Sequence, residues 1–258
     1  MDKVHQVSQD SFNRNAVLYD KARPSYSPTA INVLISGLCL KQGSKVLDLA
    51  CGTGKFTRLL DNRGYDLTAA DPSTGMLDVL SALSPHIPVV TAGAYSLPFP
   101  DAHFDAVAIA QAFHWFADHD ALTEISRVLK PGGMLGMIWN LEREGISQLQ
   151  DEHFAAVTRY DEGLPQYRKG LWKKPLEETT LLSKYQEYVE ETTQVLSEEA
   201  LWERAKSKSF ITKLPEEEQQ ALKRELEEMV RAHPEQERDA EGRLVLPYFV
   251  RVIWMKKL

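Results

Sequence analysis

The side chains best placed to do chemistry are two carboxylates, Asp48 and Asp71, and one histidine, His114, with a bend at Gly52 and Gly54 between the acids. Asp48 ends the apolar run that begins at Val46, so a short buried strand is expected to deliver it to a turn. Neither glycine carries a Cβ, and the backbone there can bend tightly and come close to a ligand. Asp71 closes a second apolar run about twenty residues further on, the place from which a carboxylate bonds a ribose hydroxyl.

Two cofactor classes use a strand, a glycine turn and a distal acid. A dinucleotide calls for G-x-G-x-x-G or -A, and the last position here is Thr57, so that fingerprint is broken. A carboxylate beside the turn repels a pyrophosphate and attracts the ammonium of a methionine moiety. These features read as a site for S-adenosyl-L-methionine (SAM), which leaves as S-adenosyl-L-homocysteine. No nucleophilic triad or metal-ligand cluster stands out, and no metal is expected.

Positioning these groups requires a sheet. Apolar runs at 67–70, 89–90, 104–110 and 134–139 read as further strands, and helical stripes alternate with them. The stripes are Ile31, Leu34, Ile35 and Leu38 before the first strand, Phe56, Leu59 and Leu60 after the glycine turn, and Leu122, Ile125 and Leu129 after Asp118. Asp118 reads as an N-cap and Pro131-Gly132-Gly133 as a helix end. Such alternation predicts a doubly wound, mostly parallel sheet. Sheets of this kind bind ligands at the carboxyl ends of their strands, where Asp48, Asp71 and the run from Gln111 to Phe116 all fall.

Beyond Asn140 the composition shifts toward Glu, Lys and Gln. Ser197 reads as an N-cap for a helix carrying Leu201, Trp202 and Ala205. Pro215 followed by three glutamates reads as a helix start, with Leu222, Leu226, Met229 and Val230 as its apolar stripe. Strand character is confined to about 185–189 and to 244–254. The expected division is a core at 1–142, a mainly helical substrate-side cap at 143–242, and a last strand at 243–258 that returns to the core sheet.

A chain of 258 residues with 43% apolar and 26% charged residues has room for one α/β core and an insertion. The net charge of −7 disfavours a nucleic-acid surface. No stretch is long and apolar enough to span a membrane, and the first residues lack a signal-peptide core. Two cysteines, Cys39 and Cys51, make no disulfide framework, so a cytoplasmic protein is expected.

The motifs VLDLACGTGKF, AADPSTGML, LPFPDAHFDAV, AQAFHWF and RVLKPGGML, in that order, resemble those of class I SAM-dependent methyltransferases. Within that superfamily the chain is similar to the small-molecule branch around trans-aconitate methyltransferase and its fungal relatives, and LPYFVRVIW continues the likeness at the carboxyl end. The resemblance implies a seven-stranded Rossmann-like sheet with a largely helical insertion before the last strand. It implies that Asp48, Ala50, Gly52, Gly54, Asp71, Pro72, Met76, Ala94, Tyr95 and Gln111 meet the cofactor. It also implies that an amino-terminal cover brings in Tyr19, Arg23 and Tyr26. The sequence departs from the family at Gly93, which has no side chain to reach the adenine amino group.

His114 reads as a general base or orienting donor, or as a histidine in a hydrogen-bonded strand-end turn. Trp115 and Trp139 read as walls of the acceptor pocket, joined there by Tyr26 and His114. Arg143, Arg168, Lys169, Lys173 and Lys174 read as an attraction for an anion or as a solvated face. Cys51 reads as a packing residue. The expected activity is methyl transfer to a carboxylate or hydroxyl oxygen of a small molecule. N- or C-methylation, and SAM binding without transfer, remain as alternatives, and the protein is expected as a monomer or homodimer.

Overall fold

The computed structural model describes residue 20, residues 23–161 and residues 163–258. The described chain opens with helix α1 (Pro28–Gly37), whose Ser27 caps it by accepting the Ala30 N–H at 3.0 Å. Strand β1 (Lys45–Leu49) follows, then helix α2 (Thr57–Leu60), strand β2 (Asp66–Asp71), helix α3 (Thr74–Leu83), strand β3 (Val89–Thr91) and strand β4 (Phe104–Ala110). Helix α4 (His119–Val128) leads into strand β5 (Leu129–Glu142).

The seven strands form one sheet in the order β3-β2-β1-β4-β5-β7-β6. Pairings among β1 to β5 are parallel, whereas β7 (Leu244–Lys256) runs antiparallel to both β5 and β6 (Gln186–Leu196). The expected mostly parallel α/β sheet is therefore a mixed one with an antiparallel edge. Strand order reverses between β1 and β4, which opens a crevice at their carboxyl ends.

Val46 through Leu49 are buried without a break because helices cover both faces of β1. On one face α1 and α3 press Leu34, Leu38, Leu77 and Leu80 against Val46, Ala106 and Ala108. On the other, α4 presses Leu122 and Ile125 against Val107 and Ile109. Each such side chain contributes roughly 1.5–3 kcal/mol of burial. Gly136 is required where α1 crosses β5, since a Cβ there would stand 2.7 Å from carbons of Leu34 and Leu38.

Two expectations about the strands are corrected. Helix α4 stops at Val128, and Pro131-Gly132-Gly133 lies within β5, where the register against β4 shifts between the Phe104–Leu129 and Ala106–Met134 pairs. The proline and glycines make an irregularity in a strand rather than a helix end. Strand β6 covers eleven residues, not the few around 185–189, because alternate half-exposed positions on an edge strand hide its pattern from a search for apolar runs.

Around β6 the region 143–242 contributes α5 (Gln148–Thr158), α6 (Lys173–Glu178), α7 (Glu198–Lys206), α8 (Ser209–Thr212) and α9 (Glu216–Ala232). Ser197 caps α7 by accepting the Ala200 N–H at 3.1 Å, and Glu216, Glu217 and Glu218 occupy the first turn of α9. Leu222 and Leu226 of α9 pack with Val157, Trp202 and Phe210 in a separate small core. No helix among the described residues is long and apolar enough to cross a membrane.

Candidate functional site

The crevice is built on strained backbone. Ala50, directly after β1, has φ 58°, and Gln111, directly after β4, has φ 61°. Left-handed conformations cost a non-glycine residue roughly 1–2 kcal/mol. Both residues line the crevice, and such strain persists where the surroundings over-determine it, often beside a ligand. Gln111 is pinned by its own N–H to the Ile138 carbonyl at 2.9 Å and by its amide to the Asn140 carbonyl at 3.0 Å.

The two glycines of the turn do different work. Gly52 has φ 55°, and a Cβ added to it would meet no protein atom within 4 Å, so its bareness serves the turn and the open crevice. Gly54 has φ 73°, and a Cβ there would stand 2.3 Å from Leu80 Cδ1. It lets α3 pack against the turn and does not line the crevice.

Asp71 is the carboxylate that faces the crevice. Its Oδ2 accepts the Gly52 N–H at 2.9 Å and its Oδ1 accepts the Ser73 N–H at 2.8 Å. Burial raises its pKa to about 6, against the pull of those two N–H groups. Asp48 lies deeper, beneath the turn and off the crevice lining. Its Oδ2 accepts the Thr57 hydroxyl at 2.5 Å, while Oδ1 has no hydrogen-bond partner. Burial, opposed by the Thr57 bond and aided by the charge of Asp71, raises it to about 7. Asp48, expected to meet a ligand ammonium, is held here in a buried contact with Thr57, the residue that breaks the dinucleotide fingerprint.

Pro72, Met76, Ala94 and Tyr95 line the crevice on the β2–β3 side. Ser73 caps α3 through the Met76 N–H at 3.3 Å, and the Tyr95 hydroxyl donates to Asp118 Oδ2 at 3.0 Å. Asp118 also accepts the Ala121 N–H at 3.0 Å as the N-cap of α4. From the cover segment Arg23 and Tyr26 reach the crevice, and Tyr26 meets Phe56 edge-on at 5.9 Å. Asp20 ties the same segment to the turn by accepting from the Thr53 hydroxyl at 2.7 Å and from Arg58 at 2.8 Å. Tyr19 lies outside the described residues. The Cys51 thiol is buried, and burial holds its pKa well above the ordinary value, as suits a packing residue.

Beyond the crevice lies a second cavity of about 460 Å³. Arg23, Gln111, Trp115, Asn140 and Arg204 line both, so the two spaces adjoin. His114 borders the second cavity with Nδ1 buried and without a hydrogen-bond partner. Burial and then the charge of Arg23 lower its pKa to about 4, so the imidazole is neutral at pH 7.

Trp139 is not a pocket wall. It is fully buried under β5 and packs on Trp172 and Tyr167 with ring centroids 5.3 Å away in each case, because residues alternate faces along a strand. Its neighbour Asn140 takes the cavity position and ties the cover by donating to the Ser25 carbonyl at 2.9 Å.

Of the cations singled out in the sequence, Arg143 pairs with Glu191 at 2.9 Å, and Lys174 with Glu178 at 3.8 Å. Lys169 pairs with Asp161 at 3.6 Å, and Lys173 lies over the Trp172 ring. Only Arg168 borders the cavity, where Asp161 holds it. The sequence reading missed Arg204 and Lys208, which also line it. On α7, Arg204 lies one turn beyond the stripe residue Leu201, a signal that it turns inward; nothing comparable marks Lys208.

A family model described as "Methyltransferase domain" matches residues 47–137. A methyltransferase-like protein of Schizosaccharomyces pombe is 32% identical over 232 residues, covering 90% of each chain. A methyltransferase of Mycobacterium tuberculosis is 41% identical over 141 residues, and the match spans 55% of this chain and about half (56%) of that one. The solved YcgJ protein of Bacillus subtilis superposes with a TM-score of 0.60 at 18% identity, covering 90% of this chain and 99% of that one, which is a likeness of fold.

Proposed function

Because the chain belongs to the class I SAM-dependent methyltransferases, we propose that it transfers the methyl group of SAM to a carboxylate or hydroxyl oxygen of a small molecule held in the second cavity. The observation that supports this reading is that the two spaces adjoin, with five residues lining both. A crevice shaped by Gly52 and Asp71 lies against a second cavity of small-molecule size, with Gln111, Trp115 and Asn140 at their junction.

The residues present fit the cofactor. Gly52 leaves open space where a side chain would stand, and the Asp71 carboxylate, already oriented by two N–H groups, has capacity left to accept from ribose hydroxyls. Pro72, Met76, Ala94 and Tyr95 offer an apolar slot for adenine. When bound, SAM supplies a methyl carbon made electrophilic by a positive sulfur. The protein's own part is to align the acceptor and exclude water. Asp48 steadies the turn through Thr57. Arg23 and Tyr26 close the crevice from the cover, and Trp115 walls the passage. His114 orients the acceptor oxygen as a neutral hydrogen-bonding group; with a pKa near 4 it is a weak base. A carboxylate acceptor needs no base, which agrees with the resemblance to the trans-aconitate branch. The reading includes a cytoplasmic location and a cap formed by 143–242 over the core at 1–142 and 243–258.

Titration calorimetry with S-adenosylhomocysteine and with NAD tests the cofactor, and transfer of labelled methyl into a metabolite extract tests the reaction. Homocysteine-product binding together with a labelled small molecule is expected. Binding without any labelled product would move the protein to SAM binding without transfer, and preference for NAD would overturn the cofactor.

A further inference from the structure

The second cavity carries more positive charge than its own carboxylates answer. Arg204, on α7, is 5% exposed, yet its Nε and Nη1 have no hydrogen-bond partner. Its nearest carboxylate oxygen is Glu142 Oε1, 4.0 Å from Nε, and its guanidinium lies 4.6 Å over the Tyr248 ring. Lys208 also lines the chamber, 5.2 Å over the ring of Phe154, with Arg168 5.4 Å over the same ring. Asp161 neutralises Arg168. Glu142, which accepts the Tyr248 hydroxyl at 3.0 Å, answers one of Arg204 and Lys208 but not both. Glu144 is exposed at the rim.

Buried charges are ordinarily paired, and buried guanidinium N–H groups ordinarily have acceptors. Resting on the methyl-transfer reading, we propose that the acceptor is an organic acid with a flat apolar body, whose anionic group is held by Arg204 and Lys208 and is distinct from the oxygen that is methylated. Lys208 lines the second cavity and not the crevice, so an anion on it lies away from the end at which the methyl donor is presented. The body of the acid lies among Phe154, Phe210, Phe249 and Tyr167, whose rings make up the chamber's apolar wall. A compact polyacid would leave those rings uncovered. The state of the cations agrees. Burial lowers Lys208 to about 8, with Glu142 opposing and the neighbouring guanidiniums adding to the shift. Burial would raise Glu142, but Lys208 and Arg204 pull it down to about 2. A second anion beside Lys208 relieves that crowding.

The test measures binding to the protein loaded with S-adenosylhomocysteine, by calorimetry, so that no turnover is needed. The probes are 4-hydroxyphenylacetate and cinnamate, the neutral amide of each, and citrate. Each acid is expected to bind about tenfold or more tightly than its amide, as loss of a charge-assisted contact predicts. In Lys208→Met that ratio is expected to fall below about threefold while S-adenosylhomocysteine affinity stays within about twofold, since Lys208 does not line the crevice. Arg204→Lys should lower the ratio as well. Equal affinity of acid and amide in the unmodified protein, which needs no variant to fold, overturns the anion site. So does a ratio that survives both substitutions. Citrate binding more tightly than both aromatic acids overturns the apolar body. If S-adenosylhomocysteine itself fails to bind, the cofactor reading falls first and this inference with it; if it binds and the acids do not, only the inference falls.

Discussion

The cofactor crevice and the second cavity share five residues yet are made from different kinds of chain. The crevice comes from strand ends, where a few consecutive residues must bend, stay bare or cap a helix. The cavity draws its distal wall from α5, the short helix at Tyr167–Lys169, α7 and the loop to α8, and from β7. Its chemistry depends on which long cations happen to turn inward. Backbone demands restrict residue types at fixed spacings; side-chain orientation on an amphipathic helix restricts much less.

The largest expected effect breaks the crevice alone. Asp71→Ala removes the charged acceptor that faces the ligand and leaves the Gly52 and Ser73 N–H groups without their partner. Affinity for S-adenosylhomocysteine should fall about a hundredfold, the size of losing a hydrogen bond to a charged group. Calorimetry reads it directly, and a change under threefold would remove Asp71 from the cofactor's partners.

The same contrast governs what could be read in the sequence. Gly52 and Asp71 were legible because strand, bend and acid recur at spacings set by the sheet, and Ala50 and Gln111 through the family resemblance. Asp48 and Trp139 end deeper than a motif can say, because both belong to strands, where neighbouring residues point to opposite faces. Trp139 went into the core and Asn140 into the cavity. Arg204 and Lys208 resembled the exposed cations of the same region, and only packing against Tyr248 and Phe154 separates them. The edge strand β6 was half seen, because its half-buried positions alternate with exposed ones.

The second effect concerns stability and sharpens the distinction between the acid that lines the crevice and the one buried beneath it. Burial raises Asp48 to about 7 and Asp71 to about 6, above the ordinary carboxylate value near 3.9, so the folded protein keeps protons that the unfolded chain has lost. That contribution is complete below about pH 4 and is lost as pH rises through 6 to 7. The free protein should therefore lose stability between pH 5 and pH 8 from these groups. Asp48→Asn removes the larger of the two, so at pH 8 it should be more stable than the unmodified protein by on the order of 2 kcal/mol and should match it near pH 4.5. Denaturant titrations at the two pH values check this, and an equal difference at both would show that Asp48 is not held protonated by burial.

A smaller effect belongs to the junction between the two spaces. His114→Ala should lower kcat about tenfold, less than the roughly hundredfold or more of a positioned general acid or base, and leave S-adenosylhomocysteine affinity unchanged. Because burial holds the imidazole near 4, it stays neutral from pH 5 to pH 9, and its loss should erase only a decline in kcat toward pH 4. An inflection between pH 6 and pH 7 that disappears in the variant would instead assign His114 as a base that titrates in the bound state.

The smallest expected effect is the one that separates buried from exposed cations. Lys174 stands on α6 with its side chain 77% exposed and meets Glu178, 66% exposed, at 3.8 Å. An ion pair in that much water contributes between nothing and about 1 kcal/mol and is screened by salt. Lys208 stands in the same cap and carries the same charge, but it is half-buried in the cavity wall near Glu142 and three guanidiniums. If charge in the cap merely drew anions from a distance, Lys174→Ala and Lys208→Met would weaken 4-hydroxyphenylacetate alike, and both effects would fade in salt. If the anion is bound inside, Lys174→Ala should leave its affinity within about twofold at every salt concentration, while the loss in Lys208→Met persists at high salt.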